Sequence, residues 1–339
     1  MNPKPPVHCP SNQVNPSLTR FLLTLQSDGI CPLRRFVTIA VLSGWFGGVA
    51  LPSAWAQEPS GADSSKTPSR TTEEGKPVTI PPARQYDLTS KVNGQQYRIM
   101  VSAPRDAKPG ATYPVVYILD GNYYFATACE TAFINKFAAI IVGIAYPTDG
   151  YDEIITRRVF DMTISASSPG RPAGHYGGGD AFLCMIEEDL KPFINARYPS
   201  DTSRQILYGC SLGGLMVLRQ MFRHPEAYST YIAASPSISW NDKEVLADEE
   251  AFSKQVKVGA VHLKLLITSA ADEQYRGSDA AQLATANKTR MVDNAAELSV
   301  RLAALAPGNL KVVYTVFAGE NHVSSSQANL SRGLRFALQ

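Results

Sequence analysis

The chemistry in this chain concentrates in six consecutive residues, Gly209-Cys210-Ser211-Leu212-Gly213-Gly214. A serine between small residues, after the apolar run Ile206–Tyr208 and before a helical stripe that starts at Leu215, reads as strand, sharp turn, helix. Such a turn lifts the hydroxyl of Ser211 out of the fold and sets it at a helix N-terminus, where the backbone N–H of Leu212 can face a developing oxyanion. Glycine at 209 and 213 is expected on steric grounds, because side chains there would meet the strand and the helix. Cys210, just before the apex, should point inward as a small buried thiol.

A serine hydroxyl needs a base. His175 lies in the glycine-rich loop Gly174–Gly177, His224 ends the helix after Ser211, and His262 opens a strand. His322 alone sits on a loop after the final strand, in Gly319-Glu320-Asn321-His322, and so takes the role of base, with His175 as the alternative or as a pocket-lining residue. The carboxylate that would orient it should follow the preceding strand, which runs into Thr268-Ser269-Ala270-Ala271-Asp272-Glu273. Either Glu273 or Asp272 fits, and a Ser–His dyad without a carboxylate stays open. A second oxyanion donor should come from Asp120-Gly121-Asn122, after the run Val115–Leu119, with the N–H of Asn122 as the choice and a plain Asp-Gly turn as the alternative. This chemistry implies no metal and no organic cofactor, since serine and histidine supply nucleophile and base.

These residues have to be carried by a sheet. Short solid apolar runs (Val115–Leu119, Ala139–Ile144, Ile206–Tyr208, Tyr231–Ala234, Leu265–Ile267, Val312–Phe317) look like strands buried on both faces, and Tyr97, Ile99 and Val101 alternate as in a half-buried strand. Between them lie helical stripes: Phe182, Ile186, Phe193 and Ile194; Leu215, Leu218, Met221 and Phe222; Val292, Ala295, Leu298, Leu302 and Leu305. The alternation predicts an α/β protein, a mostly parallel central sheet with helices on both faces, in one domain over residues 86–339.

Ahead of it, Arg34-Arg35, the uncharged run Phe36–Leu51 and Ala54-Trp55-Ala56 have the order of an export signal over residues 1–56, cleaved near Ala56-Gln57, although the stretch before Arg34 is long for an n-region. The alternative is an uncleaved anchor; the run falls short of the ~20 residues of a spanning helix. Residues 57–85 open with Ser, Thr, Pro, Gly and Glu and read as a disordered tether. The whole chain of 339 residues carries a net +2, but Lys4, Arg20, Arg34 and Arg35 belong to the leader. Beyond it, 28 basic residues face 29 acidic ones, so no basic field points to nucleic acid. Cys129, Cys184 and Cys210 remain after cleavage, enough for one disulfide at most, and a pairing of Cys129 with Cys184 is open. A periplasmic or secreted protein is the expectation.

Five stretches together resemble a known family: Pro114–Asn122, Arg158-Val159-Phe160-Asp161-Met162-Thr163, Gly178-Gly179-Asp180-Ala181-Phe182, the turn Tyr208–Gly214, and Gly319–His322. Their order is similar to that of the esterases that include the periplasmic enterobactin and salmochelin esterases, from about Tyr86 to the C-terminus. The resemblance implies the α/β-hydrolase fold and hydrolysis of ester bonds, in the best-known members those of a cyclic tri-serine lactone bearing catechols. It implies a role for Arg158 and Asp161 at the pocket mouth. Cys210 stands where relatives often have His, and Ala270 where they commonly have Gly. An anionic ferric tricatecholate would suit cations from Arg157, Arg158 and Arg171 and stacking on Tyr123, Tyr124, Phe125 and Trp240. The alternatives are an acyl or feruloyl-type carbohydrate esterase and a non-catalytic ligand-binding protein that kept the fold.

Overall fold

The structure, a computed structural model, describes residues 78–80, 82–165, 175–274 and 280–339. The leader and its cleavage site, most of the tether, and Arg171 lie outside the described residues.

Eight strands form one sheet in the order β1-β2-β4-β3-β5-β6-β7-β8. They are β1 (Arg84–Thr89), β2 (Gln96–Ser102), β3 (Tyr113–Ile118), β4 (Ile140–Ala145), β5 (Ser200–Cys210), β6 (Thr230–Ala234), β7 (Leu263–Ala270) and β8 (Leu310–Phe317). β1 and β2 join antiparallel, and β2 joins β4 antiparallel. From β4 to β8 every pairing is parallel. The helices in chain order are α1 (Gly121–Ile134), α2 (Tyr151–Asp161), α3 (Gly179–Met185), α4 (Lys191–Asn195), α5 (Leu212–Arg223), α6 (Glu249–Lys257), α7 (Ala280–Thr289), α8 (Met291–Ala303) and α9 (Ser326–Leu338).

The solid apolar runs become central strands because both of their faces meet helices. Val115, Tyr117 and Leu119 point into one core layer with residues of α3, α5, α6 and α8. Val116 and Ile118 point the other way, into a layer shared with Phe125 and Ala128 of α1 and Leu330 and Leu334 of α9. Alternate residues of β5, β6 and β7 divide in the same way.

Two strands depart from expectation. β1, RQYDLT, carries no apolar run and escapes a pattern search; it forms the outermost antiparallel strand, with alternate residues exposed. β8 is apolar from Val312 to Phe317 yet pairs with β7 alone, and most of it is only half-buried. An apolar run reports packing on at least one face and cannot tell a central strand from an edge strand. Cys129 and Cys210 are free buried thiols, so Cys129 does not pair with Cys184.

Candidate active site

The carboxyl ends of the parallel strands carry the residues expected for the acyl-transfer chemistry: Ser211 follows β5, Glu273 follows β7, His322 follows β8, and Asn122 follows β3. Ser211 itself has φ 62° and ψ −118°, a conformation in which a non-glycine residue is strained. The strain is held on both sides, since the Ser211 N–H donates to the Ala234 carbonyl at 2.9 Å and its carbonyl accepts from Leu215 N and Ser237 N at 3.0 and 3.1 Å.

The steric need for glycine falls partly where it was expected. A Cβ on Gly209 would stand 2.3 Å from the Gly213 carbonyl oxygen, and one on Gly214 would stand 2.8 Å from the Ala234 carbonyl oxygen. At Gly213 the nearest atom would be Asp120 Oδ2 at 3.4 Å, ordinary contact. The strand–turn–helix crossing is therefore tight at 209 and 214, not at 213. α5 is buried on almost every side and begins at Leu212, whose N–H has no acceptor among the described residues. It is further fixed by Arg219, which meets the Asp180 carboxylate through Nε and Nη2 at 3.0 and 2.9 Å and Asp248 through Nη1 at 2.7 Å.

His322 Nδ1 stands 2.7 Å from Oε1 of Glu273, whose side chain is 1% exposed. The other carboxylate oxygen of Glu273 accepts the Ala270 N–H at 3.1 Å. Asp272 does not hold this place; its backbone N–H donates to the Glu320 carbonyl at 2.9 Å and so ties the acidic loop to the histidine loop. Asn321 folds the histidine loop, its Oδ1 accepting from Val323 N and Ser324 N at 2.9 and 3.0 Å. The start of α9 is pinned to β7 through Asn329, which meets Thr268 Oγ1 at 2.5 Å and Ser325 Oγ at 3.2 Å. The Glu273 carboxylate also lies near enough to Cys210 to raise its thiol, although burial is the larger cause and pushes it up to about 12.

The Ser211 hydroxyl pairs with Ser237 Oγ at 3.4 Å, and no hydrogen bond joins Ser211 to His322 in this structure. Ser237, on the loop after β6, had no sequence signal beyond that position. Of the other described histidines, His175 and His262 are exposed, and His224 caps α5 with its Nδ1 3.8 Å from Glu226.

Asn122 is held by its side chain, which accepts from Tyr146 N at 2.8 Å and donates to the carbonyls of Tyr146 and Thr148 at 3.2 and 3.3 Å. Its backbone N–H, in the first turn of α1, has no acceptor among the described residues.

The expectations for the pocket mouth are corrected. Asp161 is fully buried and receives the Tyr97 hydroxyl at 3.1 Å, with burial pushing its carboxyl up to about 6. Arg158 points inward: its side chain is 14% exposed, Nε donates to Asp120 Oδ1 at 2.8 Å and Nη2 to the Cys210 carbonyl at 3.0 Å. Arg157 donates to the Gln96 carbonyl at 3.2 Å and lies over the rings of Tyr97 and Tyr146. A motif arginine beside a loop cannot be assigned to surface or interior from sequence, because its long stem permits both. Of the aromatic residues, Phe125 is core and Tyr124 packs edge-on against Tyr208. Tyr123 is 41% exposed, and Trp240 is half-buried against Tyr176 with centroids 5.7 Å apart. Among the described residues no group of three or more His, Cys, Asp or Glu is arranged to hold a metal ion.

Chemically, a serine strained at a turn apex, a carboxylate-bound imidazole on a neighbouring loop and two unengaged backbone N–H groups form the parts list of acyl transfer through a covalent intermediate.

Comparison with known proteins agrees with this chemistry. The family described as "Putative esterase" matches residues 90–335. Ferri-bacillibactin esterase BesA of Bacillus subtilis is 37% identical over 273 residues, 77% of this chain and 91% of that protein. The siderophore triacetylfusarinine C esterase of Aspergillus fumigatus is 36% identical over 278 residues, 76% of this chain and 94% of its own. Among solved structures, the BES protein from Bacillus cereus superposes with a TM-score of 0.69 at 34% identity, covering 79% of this chain and 99% of that one. Siderophore hydrolase EstA of Aspergillus nidulans gives a TM-score of 0.68 at 28% identity over 78% of this chain and 98% of its own. A family match across most of the described chain, and relatives above 30% identity over nearly their whole length, establish that the chain belongs to the "Putative esterase" family of ester hydrolases with the α/β-hydrolase fold.

Proposed function

We propose that the protein hydrolyses the ester bonds of a siderophore with Ser211 as nucleophile, His322 as general base and Glu273 as the carboxylate that orients the imidazole. The observation that carries the proposal is the 2.7 Å contact of His322 Nδ1 with a buried Glu273, on loops beside the strained Ser211 turn. Glu273 fixes the tautomer with the proton on Nδ1 and leaves Nε2 to receive the proton of the Ser211 hydroxyl. Ser211 Oγ then attacks the ester carbonyl, and the N–H groups of Leu212 and Asn122 receive the oxyanion. His322 returns the proton to the departing alkoxide, and water repeats the sequence on the acyl-enzyme to release the acid. The rotation of Ser211 away from Ser237 and toward His322 is the adjustment expected on substrate binding, since catalytic hydrogen bonds of free enzymes are often long.

One relative is named a ferri-bacillibactin esterase and another an esterase of the siderophore triacetylfusarinine C, and these names favour a siderophore over a carbohydrate ester. The lactone esters of a catecholate siderophore remain the first substrate to try. Arg157 and Arg158, engaged with the protein itself, lend the catecholate reading no support, whereas exposed Tyr123 and the Tyr176–Trp240 pair offer ring faces. The order of a basic pair, an uncharged apolar run and Ala54-Trp55-Ala56 within residues 1–56 supports export, with this hydrolysis in the periplasm or outside the cell. No described helix is long and apolar enough to cross a membrane.

The test incubates the chain from Gln57 with iron-free and iron-loaded enterobactin and, separately, a short-chain nitrophenyl ester, following products by mass. Lactone opening that disappears in Ser211→Ala supports the siderophore reading. Cleavage of the nitrophenyl ester alone sinks the catecholate lactone, and no Ser211-dependent turnover of either sinks the catalytic assignment. Subcellular fractionation with N-terminal sequencing tests export; a cytoplasmic protein retaining residues 1–56 overturns it.

A further inference from the structure

β3 and β5 run parallel, and their ladder continues to the Leu119 N–H, which donates to the Tyr208 carbonyl at 3.0 Å. The next donor of a parallel ladder would come from residue 121 to the carbonyl of Cys210. The chain leaves the sheet first, because Asp120 adopts φ 57° and ψ 44° and turns into α1. The Cys210 carbonyl thereby loses its strand partner, and Arg158 Nη2 takes the vacant place at 3.0 Å. The same guanidinium holds Asp120, the residue that makes the turn, through Nε at 2.8 Å.

We infer that Arg158 and Asp120 form a positioning pair that sets the separation of the two oxyanion-binding N–H groups, those of Asn122 and Leu212. The inference rests on the ester-hydrolase proposal above. Asn122 lies two residues beyond Asp120, and Leu212 lies two residues beyond Cys210. One planar fork of fixed geometry therefore bridges the two segments that present the donors, and each segment can shift only if the guanidinium shifts with it. Asp120 is non-glycine in the left-handed region, a strained conformation that must be held by its surroundings. Its carboxylate is buried, and Oδ2 has no hydrogen-bond partner, so the Arg158 charge is its principal compensation. Burial pulls the Arg158 guanidinium down, but the Asp120 carboxylate outweighs it and holds the group well above its usual value. Arg158 is thus a fixed cation with two of its donors spent inside the protein, a poor candidate for direct substrate contact.

The pair acts on the transition state, where the oxyanion forms, and should leave ground-state binding nearly alone. The test uses the full chain as Arg158→Gln, Arg158→Lys and the double variant Asp120→Asn/Arg158→Gln, with wild type and Ser211→Ala as references. Arg158→Gln alone leaves a buried carboxylate uncompensated; the double variant removes that charge and keeps the test usable if the single variant does not fold. Turnover of a nitrophenyl ester is read with inhibition by a trifluoromethyl ketone, which forms a tetrahedral adduct. In folded Gln variants kcat should fall by about 10²–10³-fold, the loss typical of a missing oxyanion donor. KM should stay within about threefold, and ketone affinity should weaken by the same factor as kcat/KM. Arg158→Lys, charged but without the fork, should recover only part of the loss. Near-wild-type kcat in the double variant overturns the inference. So does a rise in KM at unchanged kcat, which marks a substrate contact, or a loss of kcat with ketone affinity unchanged. Absence of Ser211-dependent turnover in the wild type overturns the ester-hydrolase proposal itself, an outcome distinct from all of these.

Discussion

Glu273 Oε1 and His322 Nδ1 are 2.7 Å apart, while Asp272, one residue away in sequence, reaches the histidine loop by donating its backbone N–H to the Glu320 carbonyl. A short 3₁₀ turn over Ala271–Glu273 produces this difference: it curls the chain back so that the Glu273 carboxylate closes on the Ala270 N–H and its free oxygen meets the imidazole.

The two acids should therefore separate cleanly on substitution. Glu273→Gln keeps the shape but allows the wrong imidazole tautomer, and kcat for a nitrophenyl ester should fall by about 10²–10⁴-fold. Asp272→Asn leaves its backbone donor in place and should change kcat by less than about threefold. Steady-state kinetics on both variants decides; equal losses, or a loss confined to Asp272→Asn, contradicts the assignment.

The turn glycines make a second test, read as thermal stability. Gly209→Ala places a methyl 2.3 Å from a backbone oxygen that cannot move without moving α5, so the folded protein should lose on the order of 3 kcal/mol or more. Gly213→Ala meets Asp120 Oδ2 at 3.4 Å and should cost about 1 kcal/mol or less. A Gly213→Ala variant less stable than Gly209→Ala would show that the crossing is tight at the other glycine.

What the sequence revealed and what it withheld have different physical causes. The central strands were legible because burial on both faces demands unbroken apolar runs, as at Val115–Leu119, and Ser211 and His322 because their place follows from strand order. β1 was not, since RQYDLT has no apolar run and is defined by its hydrogen bonds to β2. The choice between Asp272 and Glu273 depended on the curl of a three-residue turn, and the inward course of Arg158 on a carbonyl 52 residues away. Ser237 approaches Ser211 through a loop contact of the same long-range kind.

Cysteine chemistry gives a third prediction. Burial pushes the Cys129 thiol up to about 11 and the Cys210 thiol up to about 12. At pH 8 both are almost wholly protonated, and the thiolate is the reactive form. Iodoacetamide should leave both unmodified in the native protein and leave esterase activity intact, with labelling only after unfolding. Mass spectrometry of peptides containing the two residues checks this; rapid native modification of Cys210 would mean that the base of the Ser211 turn opens readily.

Asp161 supplies a prediction in pH. Its carboxyl is fully buried, with the Tyr97 hydroxyl at 3.1 Å and the Arg157 guanidinium only at 3.9 Å. Burial is the leading cause that pushes it from 3.8 up to about 6, ahead of the opposing pull of Arg157 and of the hydroxyl donors. A carboxyl whose folded value exceeds its unfolded one favours folding in its protonated form. That contribution is complete below the unfolded value and is lost as pH rises through the folded one, with a ceiling of about 3 kcal/mol. Asp161→Asn cannot titrate, so the stability of wild type relative to this variant should decline between about pH 4 and pH 7 and be flat above that. The constant offset from changed hydrogen bonding does not matter; the slope does. Denaturant unfolding of both proteins at several pH values measures it. A difference that is flat across the range would mean that Asp161 stays ionised through its contacts with Arg157 and Tyr97, and a difference that rises with pH would mean that those contacts outweigh its burial.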